Sequence, residues 1–216
     1  MKQYLAEILG TFGLVFAGTG AIVINQVSGG AITHPGIAIT FGLVVMAMIY
    51  AFGEISGAHL NPAVTIAFGV SGRFPAAKIP GYLLSQLCGA FLASGILLAL
   101  FDNQVNLGAT LPKGSDMQSF VLEIILTGLL MLVILCVSTG SKEVGTLAGI
   151  AIGGVIAFEA MFAGPICGAS MNPARSIAPA VMSGNMHSLW LYVAGPILGS
   201  VAAVPLWMLL KRDEKA

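Results

Sequence analysis

Residues 55–64 read Ile-Ser-Gly-Ala-His-Leu-Asn-Pro-Ala-Val, and residues 166–175 read Ile-Cys-Gly-Ala-Ser-Met-Asn-Pro-Ala-Arg. Both stretches place a glycine, then Asn-Pro-Ala, at the head of an apolar segment. Asn is a good helix cap, and Pro fits the first helical position, where no backbone donor is needed. Each stretch therefore predicts irregular backbone feeding a short helix, one starting at Asn61 and one at Asn172. Two such starts at matching places in the halves of an apolar chain point to a broken-helix permeation site.

The rest of the chain is built for lipid. Of 216 residues, 57% are hydrophobic and 8% charged, and mean hydropathy is +0.95. A soluble domain carries about 25% charged residues, so a polytopic membrane protein is implied. Lys plus Arg equals Asp plus Glu, nine each, so no basic excess calls for nucleic acid. The apolar segment 4–25 has no small-residue cleavage site after it and is expected to be a retained span. Cys88, Cys136 and Cys167 are odd in number and have no paired metal spacing. Cys88 and Cys136 are expected to pack as small hydrophobes, with no disulfide framework and no metal site.

A membrane-crossing helix needs ~20 apolar residues for a ~30 Å hydrocarbon core. Six runs approach that length: 4–24, 35–53, 80–101, 119–138, 144–163 and 189–210. Segments 63–70 and 174–182 are too short to span. They are expected to be half-helices that dip in and stop, with their lead-ins buried in protein or facing a cavity. With both termini cytoplasmic, Lys2, Arg73, Lys78, Lys142, Lys211, Arg212 and Lys215 fall inside and only Lys113 outside, a positive-inside bias.

The two halves repeat. Residues 6–11 (Ala-Glu-Ile-Leu-Gly-Thr) match 122–127 (Leu-Glu-Ile-Ile-Leu-Thr), and Gly-Ile-Ala-Ile occurs at both 36–39 and 149–152. Asn61 and Asn172 are 111 residues apart, and Gly89 and Gly199 are 110 apart. Three spans per copy force opposite orientations, hence an inverted repeat whose half-helices meet near the midplane. One domain over 1–216 is expected, with repeats at about 4–101 and 119–210. Residues 102–118, with Asp102, Asn103, Asn106, Pro112, Gly114 and Asp116, read as an extracellular linker. Gly149/Gly153 and Gly195/Gly199 have the spacing that lets helices approach closely.

No enzyme constellation is present. His34, His59 and His187 lack partners at spacings suited to nucleophilic or metal chemistry, and there is no phosphate-binding glycine loop. No cofactor is called for. The Asn pair has a sharper possible use. A helix N-terminus carries roughly half a positive charge, so two facing at the midplane would repel a cation. A neutral molecule could accept hydrogen bonds from the Asn61 and Asn172 amides. The lead-ins Gly57, Ala58, His59, Leu60 and Gly168, Ala169, Ser170, Met171 cannot be helical if the helices start at the Asn residues. Their carbonyls need partners, which a file of water or hydroxyl groups would supply.

With Asn61-Pro62-Ala63 and Asn172-Pro173-Ala174 in repeat-equivalent places, the chain resembles the major intrinsic protein family, the aquaporins and aquaglyceroporins. The likeness runs from Glu7 to about Trp207, and Gly164-Pro165 ahead of the second motif resembles the plant nodulin-like branch. It implies an all-α membrane protein: a right-handed bundle of six transmembrane helices plus two re-entrant half-helices, assembled as a homotetramer in the cell membrane. It also implies that Glu7 and Glu123, costly inside spans, accept hydrogen bonds from the re-entrant loops.

By the same resemblance Arg175 is the filter arginine, joined by Phe41, Ala160 and Ala169 at spacings of 20, 12 and 3 residues before their Asn. Strict water channels of the family usually carry His where Ala160 stands. Here two methyls replace bulk, which should widen the aperture. Typical glycerol channels differ too, usually with Trp in place of Phe41 and a second aromatic at Ala169. Glu54 stands where many members have His, at the cytoplasmic mouth. Glu54 and Glu159 could each line or gate the pore or hydrogen-bond to a loop; for Glu159 the structural bond is favoured, because neighbouring helix positions diverge by ~100° and Ala160 would face the pore. His59 resembles a pore-lining position with pH gating as an open option. Cys167 is either mercurial-sensitive or a packed, inert thiol.

The expected function is passive conduction of water and small uncharged solutes such as glycerol, urea or hydroxylated metalloids like arsenite, with ions and protons excluded. A strict water channel is the narrower alternative. A secondary transporter and a non-conducting structural protein are the alternatives of other class; transport would need a coupling-ion site, for which Glu159 is the main unexplained carboxylate.

Overall fold

The computed structural model describes residues 1–101, 106–141 and 145–210. Every regular element among them is helical: α1 (Lys2–Val27), α2 (Thr33–Ser56), α3 (Pro62–Val70), α4 (Ile79–Phe101), α5 (Asp116–Val137), α6 (Ala148–Cys167), α7 (Pro173–Ser183) and α8 (Leu189–Leu210). A single turn of 3₁₀ helix, Ala76–Lys78, leads into α4. Six of the helices are long and apolar enough to cross a membrane; α3 and α7 are the short ones. The helices are mostly longer than the apolar runs, because helical hydrogen bonding continues through the flanking polar residues. Asp102, Asn103, Lys142, Lys211, Arg212 and Lys215 lie outside the described residues.

Local chemistry explains the boundaries. Ser115 accepts a hydrogen bond from Gln118 N, so α5 opens on a Ser-x-x-Gln cap and the linker ends at residue 115 rather than 118. α2 and α6 both stop at a left-handed glycine, Gly57 (φ 83°) and Gly168 (φ 82°), each donating back to a carbonyl four residues earlier. Asn61 and Asn172 cap α3 and α7, with Pro at the first helical position in both.

The helices cross where side chains vanish. α1 packs on α4, α5 on α8, and α2 on α6. A methyl at Gly89 would overlap the Ile8 carbonyl of α1, and one at Gly199 would overlap the Ile124 carbonyl of α5. Gly42 and Gly153 face each other across α2 and α6, each about 2.5 Å from the other's carbonyl if given a Cβ (2.5 and 2.6 Å). Such contacts replace the hydrophobic drive that lipid cannot supply between helices.

Pro165 sits inside α6 and cannot donate to the carbonyl of Met161. His34, at the start of α2, fills the gap: its Nε2 lies 2.7 Å from Met161 O. A Cβ at Gly164 would lie 2.9 Å from the His34 ring, so that glycine makes room for the imidazole.

The outer surface is apolar. Leu43, Tyr50, Leu84, Leu92, Leu129 and Leu206 are among the exposed large side chains, as expected for lipid or subunit contact. Cys88 and Cys136 belong to this surface and are exposed, which corrects the expectation that they pack inside. An apolar run does not reveal which face of its helix points outward.

Candidate functional site

The two lead-ins to α3 and α7 share one backbone pattern. Ala58 (φ 46°) and Leu60 (φ 53°) are left-handed, as are Ala169 (φ 41°) and Met171 (φ 54°). For non-glycine residues this conformation is unfavourable and must be held by its surroundings. The holders are two fully buried carboxylates. Glu7 Oε1 accepts from His59 N (2.9 Å) and Ser56 Oγ (2.7 Å), while its Oε2 accepts from Leu60 N (2.8 Å) and Gln86 Nε2 (2.8 Å). Glu123 accepts from Ser170 N and Met171 N, both at 2.8 Å. Burying a carboxylate costs several kcal/mol unless its oxygens are hydrogen-bonded, and these bonds offset that cost.

A trans peptide points its N–H and C=O in opposite directions. With the His59 and Leu60 N–H groups turned to Glu7, the carbonyls of Ala58 and His59 face away from it. The same reasoning turns the carbonyls of Ala169 and Ser170 away from Glu123. Ala58, His59, Ala169 and Ser170 all line one cavity of about 530 Å³. Much of the remaining lining is apolar, including Leu14, Val45, Ile49, Leu130, Ile152 and Ile156. One end is a mouth at Tyr50, Glu54, Ser138 and Thr146; toward the other lie Phe41, Ala160, Ala169 and Arg175.

The Asn side chains are tied across the repeat. Asn61 Nδ2 donates to Met171 O (2.7 Å) and Asn172 Nδ2 donates to Leu60 O (2.9 Å). Their Oδ1 atoms accept from their own half-helices, at Ala63 N and at Ala174 N and Arg175 N. A primary amide has two N–H donors, so each Asn keeps one beyond its cross-tie. Both residues line the cavity.

Arg175 is buried, with its guanidinium 5.1 Å from the centroid of the Phe41 ring. Its Nη1 donates to Gly108 O at 2.7 Å. Gly108 belongs to the linker, which folds inward: Thr110 Oγ1 meets Ser176 Oγ at 2.8 Å, and Lys113 N donates to Ile166 O. Nothing local in the linker sequence announces this inward turn.

His59 lines the cavity with its ring against Phe68, Phe74 and Tyr82, and its Nδ1 lies 3.1 Å from Thr65 Oγ1. Gln86 and Ser56 were missed as members of the Glu7 cluster, although Gln86 also donates to Thr65 Oγ1. Glu54 is exposed at the mouth. Cys167 is buried, with Sγ 3.6 Å from Ala163 O. Glu159 is fully buried away from the cavity wall, and neither carboxyl oxygen has a hydrogen-bonding partner among the described residues. The expected bond to a loop is therefore not made.

Comparison with known proteins agrees with this geometry. The profile of the family described as MIP, Major intrinsic protein, matches residues 1–207. Aquaporin NIP1-1 of Zea mays is 50% identical over 216 residues, spanning 100% of this chain and 77% of that protein. Nodulin-26 of Glycine max is 43% identical over 216 residues, 100% of this chain and 80% of that one. Among solved structures, the aquaglyceroporin from Plasmodium falciparum superposes with a TM-score of 0.84 at 28% identity, covering 96% of this chain and 98% of that chain.

Proposed function

We propose a solute range for this chain, which belongs to the major intrinsic protein family and is a passive channel for water and small solutes, not an enzyme. It conducts small uncharged polyhydroxyl or amide solutes of glycerol and urea size, and hydroxylated metalloids such as arsenite, as well as water. Phe41, Ala160, Ala169 and Arg175 form its selectivity filter, and Glu7 and Glu123 support the carbonyl ladders. It assembles as a homotetramer in the cell membrane with both termini cytoplasmic.

The observation that carries this reading is one cavity lined both by polar groups and by aliphatic side chains, with a single ring among the four proposed filter residues. Asn61, Asn172 and the lead-in residues line it together with Leu14, Val45, Ile49, Leu130, Ile152 and Ile156. A carbon-backbone solute with hydroxyl groups finds both kinds of partner there. In the same cavity as the Arg175 guanidinium, Ala160 and Ala169 contribute only methyls, leaving more width than an imidazole would. The facing N-termini of α3 and α7, together with Arg175, set a positive field that a cation must cross while losing water.

The test is stopped-flow light scattering on proteoliposomes under gradients of an impermeant osmolyte, glycerol, urea and arsenite. Fast water efflux with solute influx above that of empty vesicles is expected. Fast efflux with no solute influx would make this a strict water channel. No flux of any kind would leave a non-conducting protein.

A further inference from the structure

Phe41 is the only ring among the four filter side chains, so the aperture depends on where that ring lies. Directly behind it runs α1, at Gly18. A methyl built on Gly18 would stand 2.5 Å from Phe41 Cδ1 and 2.6 Å from Cζ, and closer still to Cε1. Non-bonded carbons rest about 3.5–4.0 Å apart, so the ring would have to move by roughly 1 Å or more.

The direction of that movement is constrained. Gly18 is buried but does not line the cavity, whereas Phe41 and Arg175 both do. The ring therefore lies between Gly18 and the lumen. The backbone of α2 is fixed beside it, because Gly42 is pressed against the Gly153 carbonyl of α6. Arg175, on the lumen side, is held by Gly108. The open space known beside the ring is the cavity that it lines, so a ring pushed off Gly18 is directed toward the permeation path.

We propose that Gly18 is a positioning residue of the filter: its missing side chain is the seat into which Phe41 retracts, and residues 18 and 41 together set the solute cut-off. This rests on the filter assignment above. It adds a determinant that no residue lining the lumen would disclose.

The test compares the unaltered chain with Gly18→Ala, Phe41→Ala and the double variant, each reconstituted at equal density and measured for water and glycerol permeability. Gly18→Ala should lower glycerol permeability by about tenfold or more, the scale of one methylene misplaced in a tight pocket, and water permeability by much less. In the Phe41→Ala background the same substitution should change either flux by less than about twofold, since the contact it acts through is gone. Ala is a better helix former than Gly, so α1 gains local propensity, and the double variant serves as the folding control.

Equal loss of water and glycerol in Gly18→Ala, or the same glycerol loss with and without the Phe41 ring, would overturn the seat. If the unaltered chain passes no glycerol, the solute range fails separately. The seat then stands or falls on whether Gly18→Ala lowers water permeability only when Phe41 is present. If Phe41→Ala alone leaves both fluxes unchanged, Phe41 does not set the aperture and the seat falls with it.

Discussion

Asn61 and Asn172 hold each other's loops: each side chain caps its own half-helix through oxygen and donates an N–H to the carbonyl that precedes its counterpart, Met171 or Leu60. The midplane junction is thus a reciprocal pair of ties rather than two independent caps. Asn172→Asp keeps the capping oxygen but puts an acceptor against the Leu60 carbonyl. Losing a buried hydrogen bond this way costs about 1–3 kcal/mol. A lower melting temperature in detergent and a reduced water permeability are expected; unchanged values for both would show that the cross-tie carries no weight.

Glu7 and Glu123 occupy equivalent places but bear different loads. Glu7 receives four donors, from two backbone and two side-chain groups, and Glu123 receives its two loop N–H groups. Substitution by Gln turns one oxygen into a donor. At Glu7 either orientation sets that donor against a backbone N–H and against a side chain, Ser56 or Gln86, that must turn round to accept, whereas at Glu123 it meets one backbone N–H. Each clash leaves buried donors unsatisfied at about 1–3 kcal/mol apiece. Glu7→Gln should therefore lower the melting temperature more than Glu123→Gln. The reverse order, measured on the same reconstituted protein, would contradict this account.

His34 and Pro165 form a compensating pair, the imidazole supplying the hydrogen bond that the proline withholds from Met161 O. His34→Ala should destabilise the protein by about 0.5–1.5 kcal/mol, the usual net value of one such bond. With Pro165→Ala a backbone N–H returns to that carbonyl, and the cost of His34→Ala should shrink. A double-mutant cycle reads the coupling directly. Strictly additive losses would mean the two residues do not share the carbonyl.

What the sequence discloses, and what it hides, follows from range. The six spans, the two half-helices and the Asn starts rest on local hydropathy and on Asn-Pro, signals that fit within one helix. The repeat then relates Asn61 to Asn172 across 111 residues without any contact being known. Gln86 on Glu7, Gly108 on Arg175 and Gly18 behind Phe41 have no such marker. Those partners are 79, 67 and 23 residues apart and meet only in the tertiary fold, through helix crossings for Gln86 and Gly18 and through the inward-folding linker for Gly108. The outward placement of Cys88 and Cys136 was lost for a related reason. In a membrane helix both faces are apolar, so hydropathy gives depth but not direction.

Ala160 is where size selection should be most easily reversed. It lines the same cavity as Phe41 and Arg175, and only its methyl projects there. Ala160→His inserts a ring and a hydrogen-bonding nitrogen opposite the guanidinium. Glycerol permeability should fall by about tenfold or more and water permeability by less, since water still fits and gains a partner. Equal reductions of both, read by light scattering under matched gradients, would show that this position does not set the aperture.

Glu159 invites the opposite kind of substitution. Its carboxyl group is buried in α6, off the cavity wall, with neither oxygen hydrogen-bonded among the described residues. A buried polar group without partners contributes a desolvation cost and no compensating bond. Replacing buried ionic groups by apolar residues of similar volume is often neutral or stabilising, by about 1–4 kcal/mol. Glu159→Met keeps the volume and removes the buried carboxyl group, so the melting temperature should hold or rise, with water permeability unchanged. A fall of several degrees would mean that the carboxyl is satisfied by a bound water. Retained stability with lost flux would instead place Glu159 in the conduction mechanism, and reopen the coupled-transport alternative that its position in the fifth span first raised.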